Sequence, residues 1–201
     1  DMPWDLAPIA EPLTIALHGI HRGGLKAGEY TAIIGAGPIG MLAAMTALAY
    51  GAEPIMIDLV EERLLQAKQL GVRYTIDLRK ENAEEKVREY TGGNMAHLVM
   101  ECSGANAAVR STLDLVCNAG RITLTGWPKN ETPLPTDVIT KKEVDIRGAR
   151  TSANEFEEAI RLIHSGQVDA RQILTKTVSL DEAADTIRDI EKKSRKLYEG
   201  K

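Results

Sequence analysis

The sequence predicts an α/β protein: a doubly wound parallel sheet of six strands, followed by a C-terminal helical return segment. Three observations predict it. Short apolar runs alternate with helical patterns across residues 30–147, the rhythm of βαβ units and therefore of a parallel sheet covered on both faces. The first run, Tyr30–Ile34, leads straight into Gly35-Ala36-Gly37-Pro38-Ile39-Gly40, a G-x-G-x-x-G turn that opens a helix. The next run ends on an acid, Asp58, 18 positions after Gly40, close to the roughly 20 of a dinucleotide-binding unit.

The elements follow in order. Residues 12–20 form a helix with Leu13, Ala16 and Ile20 on one face and Ile15 beside them, ended by Gly23-Gly24. A turn at Lys26-Ala27-Gly28-Glu29 enters the first strand, residues 30–34. The helix over residues 41–50 is apolar nearly all round, which suits an element with the sheet on one side and further protein on the other. Residues 54–58 are the second strand. An amphipathic helix at 61–70 turns Leu64, Ala67 and Leu70 inward and stops at Gly71, and the third strand is short, 73–76. A charged helix at 82–90 ends in Thr91-Gly92-Gly93. The fourth strand, 97–101, turns at Cys102-Ser103-Gly104 into a helix at 105–117, which Asn118-Ala119-Gly120 closes. The fifth strand, 121–125, ends at Gly126; a loop at 127–135 leads to the sixth, 144–147.

After Gly148 the character changes to two helices, 154–164 and 181–191, around an extended piece at 172–178. Ser179 and Glu182 have capping-box spacing for the second helix. The cluster from Lys192 to Lys196 reads as a solvated helix end, where positive charge suits the carbonyl pole.

Composition narrows the function classes. With 201 residues, 43% hydrophobic and 27% charged, the chain has the makeup of one well-buried globular domain. A net charge of -4 argues against a nucleic-acid surface. No apolar stretch approaches a membrane span, no secretory leader is visible, and a cytoplasmic setting is expected. Cys102 and Cys117 read as core thiols in a reducing compartment rather than a disulfide. His18, His21, His97 and His164 are scattered without metal-ligand spacing. The opening Asp1-Met2-Pro3-Trp4 enters organised sequence abruptly, as a piece of a longer chain would.

The binding chemistry gathers at strand ends. Gly35 permits the tight turn, Gly37 lets backbone approach a pyrophosphate, and Gly40 lets the helix lie close to the sheet. The helix opening at Pro38 offers unpaired N–H groups and a partial positive charge to phosphates. Asp58 can accept both hydroxyls of the adenosine ribose and would repel a 2′-phosphate, so NAD is expected over NADP. Arg63 is close enough to reach the same ribose or stack on adenine. Ser103-Gly104, Thr125-Gly126-Trp127 and Arg150 follow strands four, five and six and should line the same crevice.

The order Glu11-Pro12-Leu13, His18, the glycine motif, Asp58, Arg63, Glu101-Cys102-Ser103-Gly104 and Gly148 resembles the medium-chain dehydrogenase/reductase superfamily. The zinc-dependent polyol and threonine dehydrogenases, with the sorbitol and sugar-acid enzymes, are the nearest group. The resemblance implies a Rossmann domain at 12–149, with 1–11 and 150–201 joining a zinc-binding catalytic domain that precedes such chains in the family and is missing here. It implies that Glu11 approaches the catalytic metal or its water, and that Ile39, Asp58, Arg63, Thr125, Gly126 and Trp127 touch NAD. Thr151 and Ser152 replace the Arg and Tyr of the sorbitol enzymes, and His97 replaces an acid. The implied substrate is a small polyol, sugar acid or amino alcohol. The implied zinc sits in the missing half, and the implied assembly is a homodimer or homotetramer through the sixth strand. The fragment alone should not turn over. Three other readings stay open: a stand-alone NAD(H)-sensing module, a zinc-free quinone-reductase-like enzyme and a methyltransferase. Glu11-Pro12-Leu13 speaks against the second, and the complete motif with Asp58 against the third.

Overall fold

In the computed structural model the backbone is described for residues 2–199 and side chains for residues 2–192, so the basic cluster beyond Lys192 lies outside the described residues. The strands are β1 (Tyr30–Ile34), β2 (Glu53–Asp58), β3 (Tyr74–Asp77), β4 (Ala96–Glu101), β5 (Val116–Leu124) and β6 (Asp145–Gly148). They form one sheet in the order β3-β2-β1-β4-β5-β6, and every pairing is parallel. This is the doubly wound six-stranded sheet that the alternation of strand and helix predicts.

The helices are α1 (Ala10–Gly23), α2 (Pro38–Ala49), α3 (Glu61–Gln69), α4 (Ala83–Tyr90), α5 (Asn106–Leu115), α6 (Thr136–Lys142), α7 (Phe156–His164) and α8 (Leu180–Glu199). Period-two alternation divides each central strand between two cores. Ile33, Met56, Leu98 and Met100 face the side covered by α1, α2 and α7. Ala32, Ile34, Ile55, Ile57 and Val99 face Val87 of α4 and Leu113 of α5. α2 is buried from Gly40 to Ala47 because it has the sheet beneath it and α1 against its other side.

Three expectations need correction. α1 begins two residues earlier than the apolar pattern suggested, after a 3-10 turn at Ala7–Ile9. α5 stops at Leu115, where Val116 goes extended at φ -83°, ψ 142°. Asn118-Ala119-Gly120 therefore does not close a helix but forms an irregular start to β5, with Ala119 at φ 53°. A further helix, α6, occupies part of what reads as the approach to β6. Between α7 and α8, where an extended piece was expected, a 3-10 turn at Ala170–Gln172 runs into chain that is neither helix nor strand. Half of the capping box implied for α8 forms: the Ser179 backbone N–H donates to the Glu182 carboxylate at 3.1 Å, while the Ser179 hydroxyl donates to that carboxylate at 2.8 Å instead of accepting from the Glu182 N–H, which goes to the Ser179 carbonyl. Those bonds hold the Glu182 carboxyl below its ordinary range.

Candidate functional site

β1 pairs with β2 on one side and β4 on the other, so the winding reverses at β1. In such sheets ligands bind beyond the carboxyl ends of the strands at that reversal. A cavity of about 500 Å³ lies there. Gly35, Asp58, Arg63 and Ser103 line it, between Leu59 and Leu78 on one wall and Ala105 and Ala108 on the other.

The glycine turn supplies the floor. Gly35 sits at φ 104°, and a Cβ there would come within 3.0 Å of the Ser103 backbone nitrogen and Cβ. Gly40 is in α2, where a Cβ would overlap the Gly35 carbonyl oxygen; the helix mouth is pressed onto the turn. Gly37 is the N-cap residue of α2 and differs in kind. No heavy atom lies within 4 Å of the place its Cβ would occupy, so the space beside it is open to a ligand. Pro38 is exposed and Ile39 half-buried at this mouth. The first-turn amides have no carbonyl four residues back and are available to an anion. These features fit a dinucleotide diphosphate.

Asp58 ends β2 with its side chain nearly buried. Oδ2 accepts from the Ala36 N–H at 2.6 Å, and Oδ1 accepts from the Val60 N–H at 2.8 Å. A carboxylate has about four lone-pair sites, so both oxygens keep acceptor capacity facing the cavity. Arg63 Nη1 lies 3.9 Å from Oδ2.

The strand acids repeat one device. Asp77 at the end of β3 accepts from the Arg79 N–H at 3.0 Å, and Glu101 at the end of β4 accepts from the Ser103 N–H at 2.8 Å. As with Asp58, each acid bonds the amide two residues on and shapes the turn that follows its strand. Sequence reasoning gave Glu101 no role; the signal that would have found it is this recurrence of an acid as the last strand residue.

The other predicted residues divide. Gly104 and Gly126 pack against one another, since a Cβ on Gly126 would collide with the Gly104 nitrogen. Trp127 is exposed and Arg150 lies over its ring, 5.2 Å from the centroid. Thr125 turns its hydroxyl inward: Oγ1 is buried without a hydrogen-bond partner and faces Gly19 of α1. Its backbone N–H donates to the Glu101 carbonyl at 2.9 Å.

Glu11 is exposed in the first turn of α1 and is not among the residues lining the cavity. Its level follows from the packing of α1. Gly23 sits on Leu98 near the start of β4, and Gly19 on Met100 and Thr125 near the strand ends. α1 therefore runs antiparallel to the strands, and Glu11 stands about 12 Å further on, past the carboxyl ends. His18 and His21 tie α1 to the return segment: His18 Nδ1 is 2.8 Å from Glu155 Oε1, and His21 Nε2 is 3.1 Å from Glu158 Oε2. Burial works to raise the Glu155 carboxyl, but the bonds from His18 and the Ala153 amide outweigh it and leave the group below its ordinary value. Among the described residues no group of three or more His, Cys, Asp or Glu side chains could hold a metal ion. Cys102 and Cys117 are both free thiols, and burial pushes Cys102 far above the ordinary range. No helix among the described residues is long and apolar enough to cross a membrane.

A profile of the zinc-binding dehydrogenases matches residues 38–165, from the mouth of α2 to the end of α7. The chain belongs to the zinc-binding dehydrogenase family, within the medium-chain dehydrogenase/reductase superfamily. It is 49% identical over 190 residues to an uncharacterised zinc-type alcohol dehydrogenase-like protein of Haemophilus influenzae, covering 94% of this chain and 56% of that one. It is 32% identical to sorbitol dehydrogenase of Bacillus subtilis, covering 92% and 53%. The chain thus spans about half the length of the curated relatives it matches. Among solved structures, a short chain alcohol dehydrogenase of Escherichia coli CFT073 complexed with NADH superposes with a TM-score of 0.85 at 26% identity, covering 91% and 54%. A zinc-binding dehydrogenase-type protein of Sinorhizobium meliloti 1021 bound to NADP gives 0.84 at 26%, covering 89% and 54%. Similar chains thus take either dinucleotide.

Proposed function

We propose that this chain is the NAD(H)-binding part of a zinc-dependent alcohol or polyol dehydrogenase, moving a hydride between a secondary alcohol and nicotinamide. The observation that carries the reading is Asp58. Its carboxylate stands at the end of β2, held by the Ala36 amide of the glycine turn and facing the cavity at the sheet's reversal.

In this reading residues 12–149 are the cofactor domain, and 1–11 and 150–201 join a zinc-binding catalytic domain outside this chain. When bound, NAD supplies the hydride acceptor and zinc the Lewis acid that polarises the alcohol. The residues here bind and orient. First-turn amides of α2 take the diphosphate beside the open face of Gly37. Asp58 accepts from the adenosine ribose hydroxyls, with Arg63 beside it. Leu59, Leu78, Ala105 and Ala108 give adenine an apolar slot. Trp127 and Arg150 stand at the ends of β5 and β6, toward the nicotinamide. Glu11, past the strand ends, approaches the metal or its water.

The substrate class is a small polyol, sugar acid or amino alcohol, the setting is cytoplasmic, and the assembly is a homodimer or homotetramer through the β6 edge. NAD is preferred because a 2′-phosphate would meet the Asp58 charge. Titrating the chain with NADH and NADPH by fluorescence tests this. NADH should bind more tightly, and Asp58→Ala should narrow the gap about tenfold, the worth of a hydrogen bond to a charged group. Equal affinities in the wild type would refute the Asp58 argument.

A further inference from the structure

We infer that Glu101 is a positioning residue for the dinucleotide, acting through Ser103, whose hydroxyl it holds as an acceptor facing the ligand. The inference rests on the cofactor reading above. Glu101 is fully buried at the end of β4, whereas Ser103 is exposed and lines the cavity.

Glu101 joins three strand tips. Its Oε1 accepts from the Ser103 N–H at 2.8 Å, the Ser103 hydroxyl at 2.5 Å and the Gly104 N–H at 3.0 Å. Its backbone carbonyl accepts from the Thr125 and Gly126 amides at 2.9 and 2.8 Å, which fixes the turn after β5. The β1 turn is coupled as well, because a Cβ on Gly35 would come within 3.0 Å of Ser103. Asp58 and Asp77 shape their turns through the same amide bond, but neither takes a hydroxyl proton.

The consequence concerns hydrogen-bond polarity. A serine hydroxyl has one proton and two lone pairs. Ser103 commits its proton to Glu101, and one lone pair takes the Ala105 N–H at 3.2 Å. A single acceptor site remains. Ser103 can therefore receive a hydrogen bond from a ribose hydroxyl or an amino group of the ligand but cannot donate one to a phosphate oxygen. A carboxylate beneath the serine, rather than an amide, enforces that choice.

The test is a double-mutant cycle on the 201-residue chain, using Glu101→Gln, Ser103→Ala and the pair, with NADH affinity and thermal midpoint both measured. Each single change should weaken NADH about tenfold, and the pair should be no weaker than the worse single, since the two act as one unit. A Glu101 that served the fold alone would weaken NADH by the same factor whether or not Ser103 is present, and that additive result would overturn the inference. Should Glu101→Gln fail to fold, Ser103→Ala decides: wild-type NADH affinity in that variant overturns the inference. Absence of NADH binding by the wild type would instead overturn the cofactor reading, and this inference with it.

Discussion

Around the tips of β1, β4 and β5 the backbone is packed until only hydrogen fits at Gly40 and Gly126, while along α8 an apolar stripe faces outward. Leu180, Ile187 and Ile190 are 93%, 65% and 62% exposed. Both regions obey their local rules: α8 has a satisfied cap at Ser179 and Glu182 and helical spacing of its apolar residues. The difference shows that correct local patterning makes an element, but close approach of separate segments makes a site. The tips meet one another within this chain; α8 leaves Leu180, Ile187 and Ile190 largely exposed.

Three variants would break or sharpen that contrast. Gly40→Val should be the most damaging, costing about 3 kcal/mol or more, because its Cβ has nowhere to go but the Gly35 carbonyl; a urea midpoint near the wild type would show the helix mouth to be looser than described. Gly37→Val sits in open space and should leave the fold intact by circular dichroism while lowering NADH affinity at least about a hundredfold, roughly 2.7 kcal/mol. Surviving affinity would mean that the diphosphate lies elsewhere. The pair Ile187→Ser and Ile190→Ser should change stability least, by no more than about 0.5 kcal/mol. A loss well above that in chemical denaturation would reveal that α8 is packed.

The same contrast explains how far the sequence could be read. β1 was legible to the residue because an apolar run ends at a glycine turn, and both signals lie in continuous chain. Asp58 was legible for the same reason: its spacing from Gly40 is counted along the sequence. α6 was not, because none of its residues is fully buried and its inward face is only Val138 and Ile139, which pack half-buried against the second core within a helix too short to repeat the pattern. The end of α5 was misplaced because Val116 and Cys117 continue its apolar content, and the break is a backbone turn rather than a change of residue type. Glu101 carried a weaker signal still. Its partners after β4 lie nearby in sequence, but the Gly126 turn reaches it only across the sheet. The Thr125 hydroxyl is turned to α1, the direction that alternation with Ile122 and Leu124 on the opposite core implies.

The two glycines of α1 have one more consequence. With Gly19 against Met100 and Gly23 against Leu98, adding a single methyl at either would bring carbons within 2.6 Å, so the helix lies close on the side chains of β4. Glu11, two turns up the same rod, is thereby surveyed from the same datum as the strand ends. On the reading proposed above, the side chain that approaches the metal and the bound dinucleotide keep a separation set by a helix seated on a strand, and the entropy of bringing them together is spent at folding.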